Sequence, residues 1–121
     1  MKNMVFVVDW NPQIRQLYKR CLSAEGFRVV AAAPTESLLD VAGAFIRHNT
    51  EIICVISAGC LAGGFNGPDV VKAIRALDEN VRIVAATSDE YLAESMLAEG
   101  ADAWLVKPFD VADLVKAVGG T

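Results

Sequence analysis

Three short apolar runs of this chain end on residues that could do chemistry. Met4 to Val8 ends on Asp9, Val81 to Ala86 on Thr87-Ser88, and Ala103 to Val106 on Lys107-Pro108. A carboxylate accepts hydrogen bonds and binds hard cations, a hydroxyl accepts and donates, and an ammonium supplies fixed positive charge. A fourth run stands apart. In EIICVISAGCLAGGFNG, Glu51 to Gly67, the apolar stretch Ile52 to Ile56 breaks into Ser57, Ala58 and Gly59, then into a loop with Gly63, Gly64 and Gly67. Such an unalternating run suits a strand covered on both faces, in the middle of a parallel sheet. Ligands and chemistry usually sit beyond the carboxyl end of a strand like this. Here that end holds no carboxylate, histidine or lysine, and Cys60 is its only potentially reactive side chain.

The remaining candidates read plainly. Ser57 has no neighbouring base to activate its hydroxyl. Thr87 on its own is a strand-terminal hydroxyl or a helix cap, and Lys107-Pro108 on its own is a surface turn. His48, the lone histidine, reads as a solvated residue capping a helix end. The loop glycines lack the spacing and following Lys-Ser/Thr of a phosphate cradle.

Five strands and five helices must position these residues. Strands are predicted over 4–8, 28–32, 52–56, 81–86 and 103–106. The first helix opens at Asn11-Pro12, an N-cap followed by proline at the first helical position, and Gly26 closes it. The second runs from Thr35 to about Ile46, with Leu38, Val41, Ala42, Phe45 and Ile46 at helical spacing. The third starts at Pro68 and the fourth spans Asp89 to Glu99. The last is capped by Asp110, with Asp113 in the first turn, where the helix dipole favours negative charge. Strict alternation of the two element types predicts an α/β protein: a three-layer (βα)5 flavodoxin-like fold with a parallel sheet of order 2-1-3-4-5. The ends of strands 1 and 3 then meet, bringing Asp9 and Trp10 to the Ser57–Gly59 corner.

Bulk composition narrows the function classes. A chain of 121 residues, 54% hydrophobic, reads as a single domain spanning 1–121 with one self-sufficient core. A net charge of −4 with scattered basic residues argues against a nucleic-acid footprint. Cys21, Cys54 and Cys60 fit neither a metal spacing nor a disulfide framework. No run is long enough for a signal peptide or a membrane span, so the expected location is the cytoplasm.

With these residues placed, the chain resembles the receiver domain of two-component response regulators. The resemblance covers about residues 4 to 118 and rests on VVDWNP at the end of strand 1, Thr87-Ser88, and GADAWLVKPF from Gly100 to Phe109. It implies a phosphorylation switch. An aspartate ending strand 3 would accept a phosphoryl group from a histidine kinase, and two acids after strand 1 would hold Mg²⁺ with it. A hydroxyl after strand 4 and the lysine before a cis proline would contact the phosphoryl oxygens, and an aromatic on strand 5 would change rotamer. Phosphoryl transfer needs this positioning and charge neutralisation.

By position, Asp9, Thr87 and Lys107 match, Trp104 matches the switch aromatic, and Pro108 matches the cis proline. Trp10 stands at the second acidic position. The acceptor position falls on Ala58 or, by loop length, on Gly59, with Ser57 the third candidate. None is an aspartate. The stretch from Thr87 to Gly100 is also shorter than usual for the family.

Asp9 alone is insufficient for Mg²⁺, whose binding is expected to be weak or absent, and no other cofactor is implied. Asp9 is expected to pair with Lys107, while Trp10 either plugs the pocket or lies exposed as a partner contact. The resulting expectation is a receiver-like, non-enzymatic domain of phosphorelay signalling that lacks the acceptor and acts through protein contacts. Residues 89–118 would meet a histidine kinase, another signalling protein or a second copy. The alternatives are a receiver phosphorylated at an unusual residue and a flavodoxin-like nucleotide or cofactor binder.

Overall fold

Side chains alternate across each strand and feed two separate cores. The computed structural model describes residues 2–32 and 37–120. Its elements are β1 (Met4–Val8), α1 (Pro12–Ala24), β2 (Arg28–Ala31), α2 (Leu38–His48), β3 (Ile52–Ala58), α3 (Gly67–Leu77), β4 (Arg82–Thr87), α4 (Glu90–Ala98), β5 (Ala103–Val106) and α5 (Val111–Gly119). All strand pairs are parallel, in the expected order β2-β1-β3-β4-β5. Met4, Phe6 and Val8 join Phe45 of α2, Ile74 of α3 and Met96 of α4 on one side of the sheet. Val5 and Val7 join Tyr18 and Leu22 of α1 with Leu114 and Val118 of α5 on the other. The β1 run does not alternate in hydropathy because both of its faces are covered.

Caps set the helix starts. The Asn11 side chain accepts from the amides of Gln13 and Ile14, Asp89 from Leu92, and Asp110 from Asp113. Each satisfies a donor that a helix N-terminus otherwise leaves open. Helix α4 therefore forms within the short Thr87–Gly100 stretch. Thr35, the expected start of the second helix, lies outside the described residues.

Strand β3 runs two residues beyond the expected Ile56, because Ser57 and Ala58 keep ladder positions opposite Ala85 and Ala86. The sheet neighbours, not the residue types, extend it. Helix α3 begins against this strand end. The Gly67 amide donates to the Gly59 carbonyl at 2.8 Å, and a Cβ at Gly67 would stand 2.5 Å from the Ala58 carbonyl oxygen. Only glycine allows that approach. Gly43, exposed in the middle of α2, has no such reason: nothing lies within 4 Å of the Cβ it lacks. Gly67→Ala is therefore expected to destabilise the fold by about 2 kcal/mol or more. Gly43→Ala should stabilise it by roughly 0.5–1 kcal/mol. Urea unfolding of the two variants beside the parent checks both signs.

Candidate functional site

The carboxyl ends of β1, β3, β4 and β5 meet in a shallow cleft of about 300 Å³, lined among others by Asp9, Trp10, Ala58, Gly59, Thr87 and Lys107. Asp9 follows β1 and is almost fully buried. Its Oδ1 accepts from the Asn11 amide at 3.0 Å, and its Oδ2 accepts from the Lys107 ammonium at 2.7 Å. The lysine side chain is more open than its partner, 25% exposed against 6%. The pair joins the first strand to the turn after the last, and each of its two charges has the other as partner. Arg15 of α1 adds a donor that the residue pattern did not reveal, its Nη1 bonding the Asp9 carbonyl at 2.9 Å. Its place one turn into the helix after Asp9 was the only available signal.

Thr87 ends β4. Its hydroxyl oxygen accepts from the Asp89 amide at 3.1 Å, fixing the turn into α4. Its carbonyl accepts from the Trp104 indole at 2.8 Å and from the Lys107 amide at 3.2 Å. Trp104 is thus a half-buried strand aromatic tied to the backbone of the strand beside it. The Lys107–Pro108 bond is cis.

At the end of β3 the three acceptor candidates separate. Ser57 is fully buried and donates its hydroxyl to the Ala58 carbonyl at 3.0 Å. Cys54 and Ile56 belong to the α1/α5 core, so alternation turns Ala58 to that side, as it does Asp9 after Val7 and Lys107 after Leu105. Gly59 faces the other way: a Cβ there would stand 2.9 Å from Thr87 Oγ1 and 3.3 Å from Leu92 Cβ. Ala58 therefore lies on the side of the ion pair, and Gly59 against the hydroxyl.

Trp10 neither plugs the cleft nor stands free. It is half-buried and lines the cleft rim. Its indole N–H donates to the Ala62 carbonyl at 3.3 Å, and its ring meets Phe65 edge-on at 6.1 Å. Both contacts lie in the loop between β3 and α3. Cys60 is exposed nearby, whereas the Cys54 thiol is buried in the core and pushed up to about 12 by that burial.

These residues do not suit a hard divalent cation. Such a cation wants several oxygen ligands, usually with one or two carboxylates. Asp9 offers one carboxylate with both oxygens already engaged, an indole N–H is a donor only, and Ala58 contributes no ligand. Among the described residues no group of three or more His, Cys, Asp or Glu could hold a metal ion.

Comparison with known proteins meets this geometry at the level of family. The profile described as the response regulator receiver domain matches residues 5–119. The chain belongs to the receiver domain family. Over 117 residues it is 29% identical to the transcriptional regulatory protein CpxR of Escherichia coli K12, a match covering 96% of this chain and 47% of CpxR. It therefore spans about half the length of that relative. It is 25% identical over 122 residues to sporulation initiation phosphotransferase F of Bacillus subtilis 168, covering 98% of this chain and 92% of that protein. In fold it is similar to the chemotaxis protein CheY4 of Vibrio cholerae, with a TM-score of 0.84 at 23% identity over 99% of this receiver and 98% of that chain.

Tyr18 lies under this receiver's site unannounced by its place in an apolar stripe. It is fully buried, stacked on Phe109 at 5.6 Å, and its hydroxyl has no hydrogen-bond partner. Burial, and then the negative charge of Asp9, push its phenol well above the ordinary value of 10.0. A raised folded-state value means that this contribution to stability is complete below pH 10 and is lost as the pH climbs above it, where the unfolded chain ionises. Tyr18→Phe keeps the ring stack and removes the unpaired hydroxyl. It should raise stability by roughly 1 kcal/mol near neutral pH. It should also reduce the loss of stability above pH 10, as urea titrations at a series of pH values would show.

Proposed function

We propose that this receiver domain works without aspartyl phosphorylation, as a regulatory protein-contact module of phosphorelay signalling rather than an enzyme. The observation that carries this reading is Ala58. Of the three positions the resemblance allows for the acceptor aspartate, Ala58, Gly59 and Ser57, it is the one at the end of β3 on the side of Asp9 and Lys107. The 2.7 Å ion pair supports it further. In an intact site several acids would crowd one lysine and call for a cation; here one acid and one ammonium balance, and neither is left to recruit a phosphodonor. Thr87 keeps its place, with its hydroxyl oxygen accepting from the turn into α4.

The partner is a signalling protein, a histidine kinase among the candidates, and it meets residues 89–118. Apolar side chains exposed there support that assignment: Tyr91 at 77%, Val106 at 51% and Val111 at 50%. A cleft of about 540 Å³ beside Trp104, lined also by Arg82, Val106 and Lys116, adds relief to the same face. A second copy of the chain is the other occupant this face would accept. The scattered charge argues against nucleic acid as a partner, and the expected setting is the cytoplasm. Among the described residues no helix is long and apolar enough to cross a membrane.

Treatment with a small phosphodonor and Mg²⁺, followed by intact-mass measurement, tests the reading. The mass should stay unchanged, and a species heavier by about 80 Da, one added phosphoryl group, would overturn it. A constructive test addresses the register. Trp10→Asp combined with Ala58→Asp should create Mg²⁺ affinity measurable by calorimetry. Trp10→Asp with Gly59→Asp should not, because a side chain at 59 meets Thr87 instead.

A further inference from the structure

Trp10 stands where the family resemblance places a metal-binding acid, and its side chain reaches across to a different segment of the chain. The loop from Gly59 to Asn66 is rich in glycine, with Gly63 and Gly64 both at positive φ. Its base is closed by the bond from the Gly67 amide to the Gly59 carbonyl. At its far end the Asp69 carboxylate of α3 accepts from the Asn66 amide at 2.9 Å, and between these two ties the loop is met by Trp10. The Trp10 indole donates to the Ala62 carbonyl and sets its edge against Phe65, and both rings pack on the core beneath α2, α3 and α4.

We infer that Trp10 takes over the work of a bridging cation, tying the end of β1 to the β3–α3 loop so that the loop is ordered without metal. This rests on the proposed reading of position 10 as a lost acidic position. A cation between two strand ends holds them by attracting oxygen from both. The indole reaches the same kind of group, a loop carbonyl, with a covalently anchored N–H donor, and its ring adds apolar contact that a hydrated ion lacks. Asp9 is not available to replace it, since its oxygens are held by the Asn11 amide and Lys107. The consequence is regulatory. The rim of the cleft holds one arrangement at any divalent-ion concentration, and partners that touch it read a constant surface.

Amide hydrogen exchange of residues 60–65 in the parent, Trp10→Phe and Trp10→Ala, each with and without millimolar Mg²⁺, tests this. The parent should show no change on adding Mg²⁺. Trp10→Ala should raise loop exchange roughly tenfold or more, while β4 and α5 amides hold their rates. Trp10→Phe keeps an edge contact but loses the donor, and should give an intermediate rise of about threefold. Loop rates in Trp10→Ala within about twofold of the parent would overturn the inference, as would slower loop exchange in the parent when Mg²⁺ is added. Should the alanine variant unfold globally, as its α5 amides would reveal, the phenylalanine variant decides alone: unchanged loop exchange there overturns the inference. A phosphoryl adduct on the parent would remove the reading of Ala58 yet leave these exchange rates as they are, so the two failures are distinguishable.

Discussion

A sheet covered on both faces leaves its polar side chains only one place to go, the ends of its strands. Along β1, β3 and β4 the side chains are committed to one of two cores, one under α1 and α5 and the other under α2, α3 and α4. A buried charge within those runs would cost several kcal/mol unless paired. Asp9, Thr87 and Lys107 accordingly all stand at or just past the carboxyl ends, and the parallel arrangement gathers those ends on one edge. The site is a by-product of how the core is closed.

What that edge can do depends on how its charges are distributed. A lysine facing several carboxylates leaves a negative surplus that a divalent cation relieves. A lysine facing one carboxylate at 2.7 Å leaves none. On the proposed reading, the substitution of small residues at the end of β3 and of an indole after β1 changes more than the presence of an acceptor. It replaces an electrostatically unbalanced pocket, responsive to metal and phosphoryl groups, with a balanced one held by an ion pair and backbone hydrogen bonds. The Thr87 carbonyl, shared by the Trp104 indole and the Lys107 amide, continues that bonding toward β5. The polar links run from α1 through Arg15 and Asp9 to Lys107, and on to Thr87 and Trp104.

Local pattern was enough wherever a residue's environment follows from its own type and its near neighbours. Uninterrupted Val/Ile runs mark strands buried on two faces, and Asn11-Pro12, Asp89 and Asp110 mark helix starts. Their hydrogen bonds close within three residues, so the chain carries the whole interaction in one short stretch. The Asp9–Lys107 pair was legible through the family resemblance, which puts both residues in one pocket although β3 and β4 lie between their strands. Arg15 and Tyr18 were not legible. One looks like a solvated helix position and the other like any member of an apolar stripe, and only the packing of α1 reveals what they touch.

The sequence by itself determined the element order and the absence of an acid at the end of β3, which depend on residue type and periodicity, and the strand order followed from the handedness of crossovers between alternating elements. Tertiary structure decided the rest. It carried β3 on to Ala58 through pairing with β4, and turned Ala58 and Gly59 to opposite sides of the sheet. It also sent the Trp10 indole to a carbonyl 52 positions away. Contacts between residues so far apart in the chain exist only after the sheet has closed, and nothing within either segment encodes them.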